Sequence, residues 1–284
     1  MQLPKILALI MIVSIMFSAG LQVDRQRLSQ TLRQYGLLGR ALLANFVLVP
    51  LFALLLVRLF HVNSEVAIGI VLMSMAPGVP FLANSAGRSG GGSLSFALTI
   101  SFFFAALSVI TIPLTIALIA YFVPAAPVPP VPIARFLTTL VAFQLVPLVL
   151  GGLIGPRLPA ATADRLVKIL HLVFLGSSLV LVVLIFPRIV SSVASVYGFG
   201  QLTIIAAVGI FSVAAGWLLG GPDRQYRRTL SIATLMRNIG LCALVGTNPQ
   251  FAGTLVVPTI FAYFIVTFLI SLPVRVYFAK TKSA

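Results

Sequence analysis

Acidic residues are nearly absent from this chain. Of its 284 residues, four are Asp or Glu and 19 are Lys or Arg, which gives a formal net charge of +15. Charged residues make up only 8% of the sequence and hydrophobic residues 60%, whereas a soluble domain carries about 25% charged residues. This composition excludes an ordinary soluble protein and is typical of a helical membrane protein with several spans.

Cysteine is equally scarce. Cys242 is the one cysteine, which excludes an internal disulfide and a multi-cysteine metal site, and we expect no metal and no cofactor. The basic residues are spread over separate short loops instead of one face, so they do not predict a nucleic-acid partner. The lipid bilayer is the predicted surrounding of the chain.

Nine apolar segments are long enough to cross a membrane as helices, and short loops with Pro and Gly join them. The basic residues are divided unevenly: 14 lie on one side, four on the other, and Arg237 lies inside a segment. By the positive-inside rule, this places the N-terminus outside and the C-terminus in the cytoplasm, in a bacterial inner membrane or a plasma membrane. The segments run approximately over 4–21, 36–59, 66–87, 93–122, 133–155, 166–187, 198–219, 227–247 and 252–278.

Two of the nine segments contain residues that interrupt a helix. The third has two prolines three residues apart, and each proline removes a backbone hydrogen bond and clashes with the preceding turn. The eighth has a polar pair followed by a glycine in the middle of an apolar run. We expect breaks near 77–85 and 237–240, with Pro77, Gly78, Pro80 and Gly240 as the helix-breaking residues.

The two interrupted segments occupy corresponding positions. Each is the third of a set of four, segments 1–4 and 6–9, and the second set starts on the opposite side of the membrane. This arrangement predicts an inverted repeat, the best sequence indication of a secondary transporter with a site at the membrane midplane. The predicted units are 1–123, the first repeat; 124–160, a connecting fifth helix; and 161–284, the second repeat.

Arg237 is the charged residue that this pattern singles out. A guanidinium in the middle of a span costs at least about 3 kcal/mol and normally faces the protein interior. A buried cation without a buried carboxylate indicates either an anion brought from outside, which the guanidinium can bind with two hydrogen bonds, or a replaced cation site. A structural tie between the broken helices is the alternative role. The four acidic residues fall in predicted loops or at helix ends: Asp24, Glu65, Asp164 and Asp223.

Several local motifs follow one another along nearly the whole chain: Phe17-Ser18-Ala19-Gly20-Leu21, Asn45-Phe46 before Pro50, Ala76-Pro77-Gly78, Leu94-Ser95 with Thr99, and the stretch from Ser231 to Leu241. In this order they resemble the bile acid/sodium symporter family. The resemblance implies an all-helical fold with a panel domain and a core domain, in which two discontinuous helices cross near the membrane centre. It also implies transport of organic anions by alternating access, usually with sodium.

The sequence departs from the family at positions that the resemblance assigns to sodium. Ala233 stands where the family has a glutamate and Arg237 where it has a glutamine, while Ser95 and Thr99 match hydroxyl positions of the family. The changes raise the local charge by two units, and like charges about 4 Å apart at a dielectric constant near 20 repel by about 4 kcal/mol. We expect the guanidinium to replace the ion and to donate to carbonyls freed at the breaks.

The sequence thus predicts a transporter of a small organic anion, secondary-active or facilitative, that works by alternating access without the usual sodium sites. Two alternatives stay open: a sodium-coupled symporter of bile acid-like anions, and a non-transporting scaffold or sensor. An enzyme is not expected, because no span holds a cluster of Asp, Glu or His or a paired nucleophile and base. The predicted substrate-binding residues are Arg237, Asn238, Asn84 and Ser85, the last two in the reverse of the family's order.

Overall fold

The computed structural model describes residues 2–23, 29, 33–77, 92–122, 133–192, 198–247, 251 and 253–281. Within these residues the regular secondary structure is helical, and we number the helices in chain order. They are α1 (Gln2–Leu21), α2 (Tyr35–Leu59), α3 (Ser64–Met75), α4 (Leu94–Phe122), α5 (Ile133–Leu140, Val141–Leu145 and Val146–Ile154 in succession), α6 (Ala160–Ser192), α7 (Gly198–Leu219), α8 (Arg224–Leu235), α9 (Ile239–Gly246) and α10 (Val256–Lys280).

Seven of these helices are long and apolar enough to cross a membrane. They are α1, α2, α4, α5, α6, α7 and α10, and each falls on one of the predicted segments. The other two predicted segments are the interrupted ones, because α3 has only 12 residues and the eighth segment is divided into α8 and α9. The structure shows an all-helical chain with several candidate spans, and the count of nine spans stays a prediction.

Two of the spanning helices contain a π-helical stretch just before a proline. In α2 the stretch is Leu43–Leu48, and in α5 it is Val141–Leu145. The proline that follows has no backbone N–H for the carbonyl four residues earlier, so the turn before it widens. Each widened turn holds a fully buried amide side chain, Asn45 in α2 and Gln144 in α5.

The helix α1 packs along α5 and α6. The backbones of α1 and α5 are in contact at Gly20 and Gly151. A Cβ added to either glycine would overlap the main chain of the other helix, so this close approach needs glycine at both positions. Such close approach at small residues is the usual basis of helix association in lipid. Ser18 Oγ on α1 lies 3.2 Å from His171 Nε2 on α6, which adds a polar contact to this group.

Five of the other helices pack among themselves, whereas α4 and α9 contact α1 as well. The contacts of α7 with α8 and α10, of α3 with α10, and of α2 with α3 and α7 form a second group. This group contains both interrupted segments, so its packing determines where the two breaks lie relative to each other.

Candidate functional site at the helix breaks

The two helix breaks lie side by side. α3 ends at Met75, and Ala76 leaves the helical conformation (φ −99°, ψ 86°) because a residue before proline is disfavoured in the α region. Pro77 then forms an isolated antiparallel bridge with Arg237, and the Asn238 N–H donates to the Ala76 carbonyl at 3.0 Å. Unpaired backbone groups are costly at membrane depth, so each break satisfies main-chain groups of the other.

The break in the second half covers the short segment between α8 and α9. α8 ends at Leu235, and Met236 is extended (φ −84°, ψ 131°). The Asn238 side chain caps α9, because its Oδ1 accepts from the Leu241 N–H at 3.0 Å. Asn238 is 1% exposed, and this cap occupies its oxygen.

The helix-breaking role predicted for Gly240 is wrong. Gly240 lies inside α9, because the cap at Asn238 starts the helix before the glycine. A Cβ at Gly240 would lie 3.5 Å from the main chain of Ile12, an ordinary contact distance, so packing does not demand a glycine either. Pro77 comes two residues after Met75, the last residue of α3, and its helix-breaking role stays a prediction. The other predicted residues of the first break, Gly78, Pro80, Asn84 and Ser85, lie outside the described residues.

The Arg237 side chain is buried beside the bridge, with 4% of its surface exposed. Its Nη1 donates to Asn45 Oδ1 at 3.4 Å, and Asn45 is held in place because its Nδ2 donates to the Ala41 carbonyl at 3.0 Å. Tyr263 of α10, which is 0% exposed, lies next to the guanidinium, although its hydroxyl makes no hydrogen bond of normal geometry. The site therefore combines side chains from α2, the α8–α9 break and α10.

Two nitrogens of the guanidinium remain unpaired. Within the part of the chain that the structure describes, Arg237 Nε and Nη2 have no hydrogen-bond partner, and neither has the Tyr263 hydroxyl. Nε–H and Nη2–H form one edge of the planar group, and a carboxylate binds such an edge through two parallel hydrogen bonds. Buried donors are normally satisfied in proteins, so this edge has the chemistry of an anion site.

The carboxylates that the structure describes lie elsewhere. Glu65 accepts from a backbone N–H at the start of α10 at 2.8 Å, Asp223 caps α8, and Asp164 is exposed near the start of α6. These three lie at helix ends, as the sequence predicts, and Asp24 lies outside the described residues. The hydrogen bond of Arg237 goes to a neutral amide, so it leaves the positive charge uncompensated.

Apart from Arg237, the positions that the resemblance assigns to sodium lie on α4 and α8, which pack against each other. Ala233 of α8 is 3% exposed and belongs to an apolar cluster with Phe96 and Ile100 of α4. Thr99 Oγ1 donates to the Ser95 carbonyl at 3.0 Å, a bond that helical threonines commonly make within their own helix. Among the described residues, no three His, Cys, Asp or Glu side chains are grouped to hold a metal ion.

Sequence reasoning missed two residues of this site. Asn45 was recognised as part of a family-like motif but not as a partner of Arg237, although a buried amide before a mid-span proline is a usable signal. Tyr263 gave no signal, because one tyrosine in an apolar helix is ordinary. The sequence did identify Arg237 and Asn238, and the structure places both at the point where the breaks meet.

The model of the Sodium Bile acid symporter family matches residues 9–196 of the chain. The chain belongs to this family. Members of the Sodium Bile acid symporter family are membrane transporters that move substrates across a lipid bilayer, and they are not enzymes. The match ends before α7, so the α8–α9 break with Arg237 lies beyond it. No curated protein matches the chain.

Proposed function

We propose that this transporter moves a small organic anion by alternating access and without the usual sodium sites. The observation that carries the proposal is the buried, unpaired Nε/Nη2 edge of Arg237 with the Tyr263 hydroxyl beside it. Because Nη1 is held by Asn45, the guanidinium is already oriented before a ligand arrives. A carboxylate or sulfonate on the substrate would complete the two hydrogen bonds that this edge lacks.

The chemistry of the predicted ion position supports transport without sodium. A sodium ion needs several oxygen ligands, whereas Ala233 offers a methyl group inside an apolar cluster. The fixed charge of Arg237 would repel a cation about 4 Å away by about 4 kcal/mol, which corresponds to about three decades in affinity. On this proposal the guanidinium of Arg237 permanently occupies the position where the resemblance to the family implies a sodium ion.

Part of the helix packing supports the family's two-domain arrangement. α1 packs along α5 and α6, whereas α2, α3, α7, α8 and α10 pack among themselves, and α4 and α9 contact both groups. We propose that the first group is the panel domain, the second the core domain, and that the units 1–123 and 161–284 are inverted repeats. We also keep Arg237, Asn238, Asn84 and Ser85 as the proposed substrate-binding residues. Asn238 would contact the substrate through its amide nitrogen, because its oxygen caps α9.

The test is uptake by purified protein in proteoliposomes, over a panel of small carboxylates and sulfonates. Each anion is measured with sodium, potassium or choline as the external cation. We expect uptake of at least one anion at equal rates in the three salts, and loss of that uptake in Arg237→Gln. Arg165→Gln is the matched control, because Arg165 is an exposed arginine of α6 and loses the same charge.

Each alternative has its own result in this assay. A sodium-coupled symporter would show uptake that needs sodium, and this outcome would overturn the replacement of the ion by Arg237. A scaffold or sensor would show no uptake of any anion, although ligand binding could persist. Uptake without sodium that is unchanged in Arg237→Gln would leave the transporter in place and remove Arg237 from the substrate site.

A further inference from the structure

An apolar groove lies between α7 and α10, lined by residues other than those of the helix breaks. Its volume is 680 Å³, within the range of about 300–1,000 Å³ that small-molecule sites occupy. The lining includes Trp217 and Tyr277, which lie near the C-terminal ends of α7 and α10. Such aromatic side chains concentrate where the hydrocarbon of a membrane meets the lipid headgroups, so this end of the groove belongs at that boundary.

Two arginines lie next to the aromatic lining at the same end. Arg227 Cζ is 5.8 Å from the ring centroid of Trp217, and Arg228 Cζ is 6.0 Å from that of Phe278, which also lines the groove. Arg228 is 5% exposed, and its Nε has no hydrogen-bond partner among the described residues. Its Nη2 donates to the Thr281 carbonyl at 2.9 Å, and Arg227 Nε also donates to a backbone carbonyl. These acceptors are neutral, so the hydrogen bonds leave both positive charges uncompensated.

We propose that the groove binds one anionic glycerophospholipid, with an acyl chain between α7 and α10 and the phosphate at Arg227 and Arg228. Basic pockets between transmembrane helices on the cytoplasmic side are typical sites for anionic headgroups. The distribution of basic residues predicts this end on that side. The apolar wall buries the acyl chain, and the negative phosphate compensates the positive charges of Arg227 and Arg228.

The charge of the chain argues against a second copy as the occupant. Two copies would bring together chains that each carry a net charge of +15, and a second groove would again present arginines instead of carboxylates. A lipid phosphate offers the opposite charge at the membrane boundary. The occupant is therefore a lipid, and the site is independent of any anion bound at Arg237.

The test is native mass spectrometry of the purified full chain in detergent. The protein is titrated with phosphatidylglycerol or with phosphatidylcholine that carries identical acyl chains. We expect one phosphatidylglycerol to bind in preference to phosphatidylcholine. A basic residue near a membrane surface contributes about 1 kcal/mol toward an anionic lipid, so Arg227→Gln or Arg228→Gln should lower phosphatidylglycerol affinity about fivefold, with phosphatidylcholine unchanged.

A second variant and a control separate lipid binding from folding. Ala214→Trp fills the exposed wall of the groove and should weaken both lipids while leaving the arginines intact. Arg165→Gln removes an exposed charge from α6 and should keep the preference. If Arg228→Gln does not fold, the lipid affinities of Arg227→Gln and Ala214→Trp test the proposed lipid site.

Three results would overturn the lipid site. In the first, the wild type binds the two lipids with equal affinity. In the second, Arg227→Gln and Ala214→Trp both bind phosphatidylglycerol as tightly as the wild type does. In the third, millimolar inorganic phosphate alone displaces the lipid. The last result would indicate a site for a free phosphate. A lipid-free dimer that Ala214→Trp dissociates would likewise assign the groove to a second copy.

Discussion

Replacing Arg237 by glutamine removes the charged edge on which the proposed anion site depends. A hydrogen bond to a charged group contributes about 1.5–3 kcal/mol, so two such bonds to a carboxylate contribute about 3–6 kcal/mol. Because about 1.4 kcal/mol corresponds to a tenfold change in affinity, Arg237→Gln should weaken anion binding at least about 100-fold. Arg237→Lys keeps the charge but loses the planar fork, and we expect an intermediate affinity.

The same substitution should leave the protein without ligand as stable as before, or more stable. The guanidinium is buried with two unpaired nitrogens, and an uncompensated buried charge is unfavourable. Glutamine is neutral, so the substitution removes this unfavourable charge. Loss of binding and retention of stability together distinguish a substrate contact from a structural tie, because removing a tie would destabilise the protein in the absence of any ligand.

The assay is thermal unfolding in detergent with and without the transported anion. A ligand at 100 times its Kd stabilises the native state by about 2.7 kcal/mol, so the wild type should show a clear rise in Tm that Arg237→Gln lacks at the same concentration. Arg165→Gln should behave as the wild type. An Arg237→Gln protein with the wild-type ligand-induced Tm rise, or with a Tm lowered before ligand is added, would refute this reasoning.

Four other variants test the residues around Arg237 and the packing of α1 against α5. Tyr263→Phe removes the unpaired hydroxyl and should weaken anion affinity about fivefold, equivalent to about 1 kcal/mol, whereas unchanged affinity in the binding assay would exclude Tyr263 as a contact. Asn45→Asp places a carboxylate on Arg237 and should raise Tm while it lowers uptake, because the internal ion pair competes with the substrate; higher uptake would contradict this. The double variant Ala233→Glu/Arg237→Gln recreates the family's residues and should make uptake depend on sodium; equal uptake in choline would contradict the ion-replacement hypothesis. Gly151→Leu forces α1 and α5 apart and should lower Tm and the yield of monodisperse protein, and a wild-type Tm would show that the packing is looser than described.

Hydropathy located the long helices well because a membrane span needs a minimum apolar length. The ends were less accurate where polar residues continue a helix: α6 begins at Ala160 and ends at Ser192, whereas the apolar run predicts 166–187. Hydropathy measures the part of a helix that suits lipid, but backbone hydrogen bonds continue beyond it. The sequence prediction therefore missed the polar turns at both ends of α6.

The site was only partly predictable. Arg237 can be recognised from this sequence alone, because a charged residue within an apolar segment is rare. Its partners come from α2 and α10, which are distant along the chain, and no local pattern links Asn45 or Tyr263 to it. The misplaced break at Gly240 has a local cause: a glycine weakens a helix by only about 1 kcal/mol, whereas the Asn238 cap fixes where α9 starts.

The bridge between Pro77 and Arg237 also bears on how the molecule can move. Separating the two interrupted helices would expose main-chain donors and acceptors to an apolar interior, at several kcal/mol for each unsatisfied group. We therefore expect α3, α8 and α9 to move as one rigid unit that the bridge holds together. Sliding during a transport cycle would then occur along side-chain surfaces elsewhere, such as those between α9 and α1, where no such main-chain pairing has to be broken.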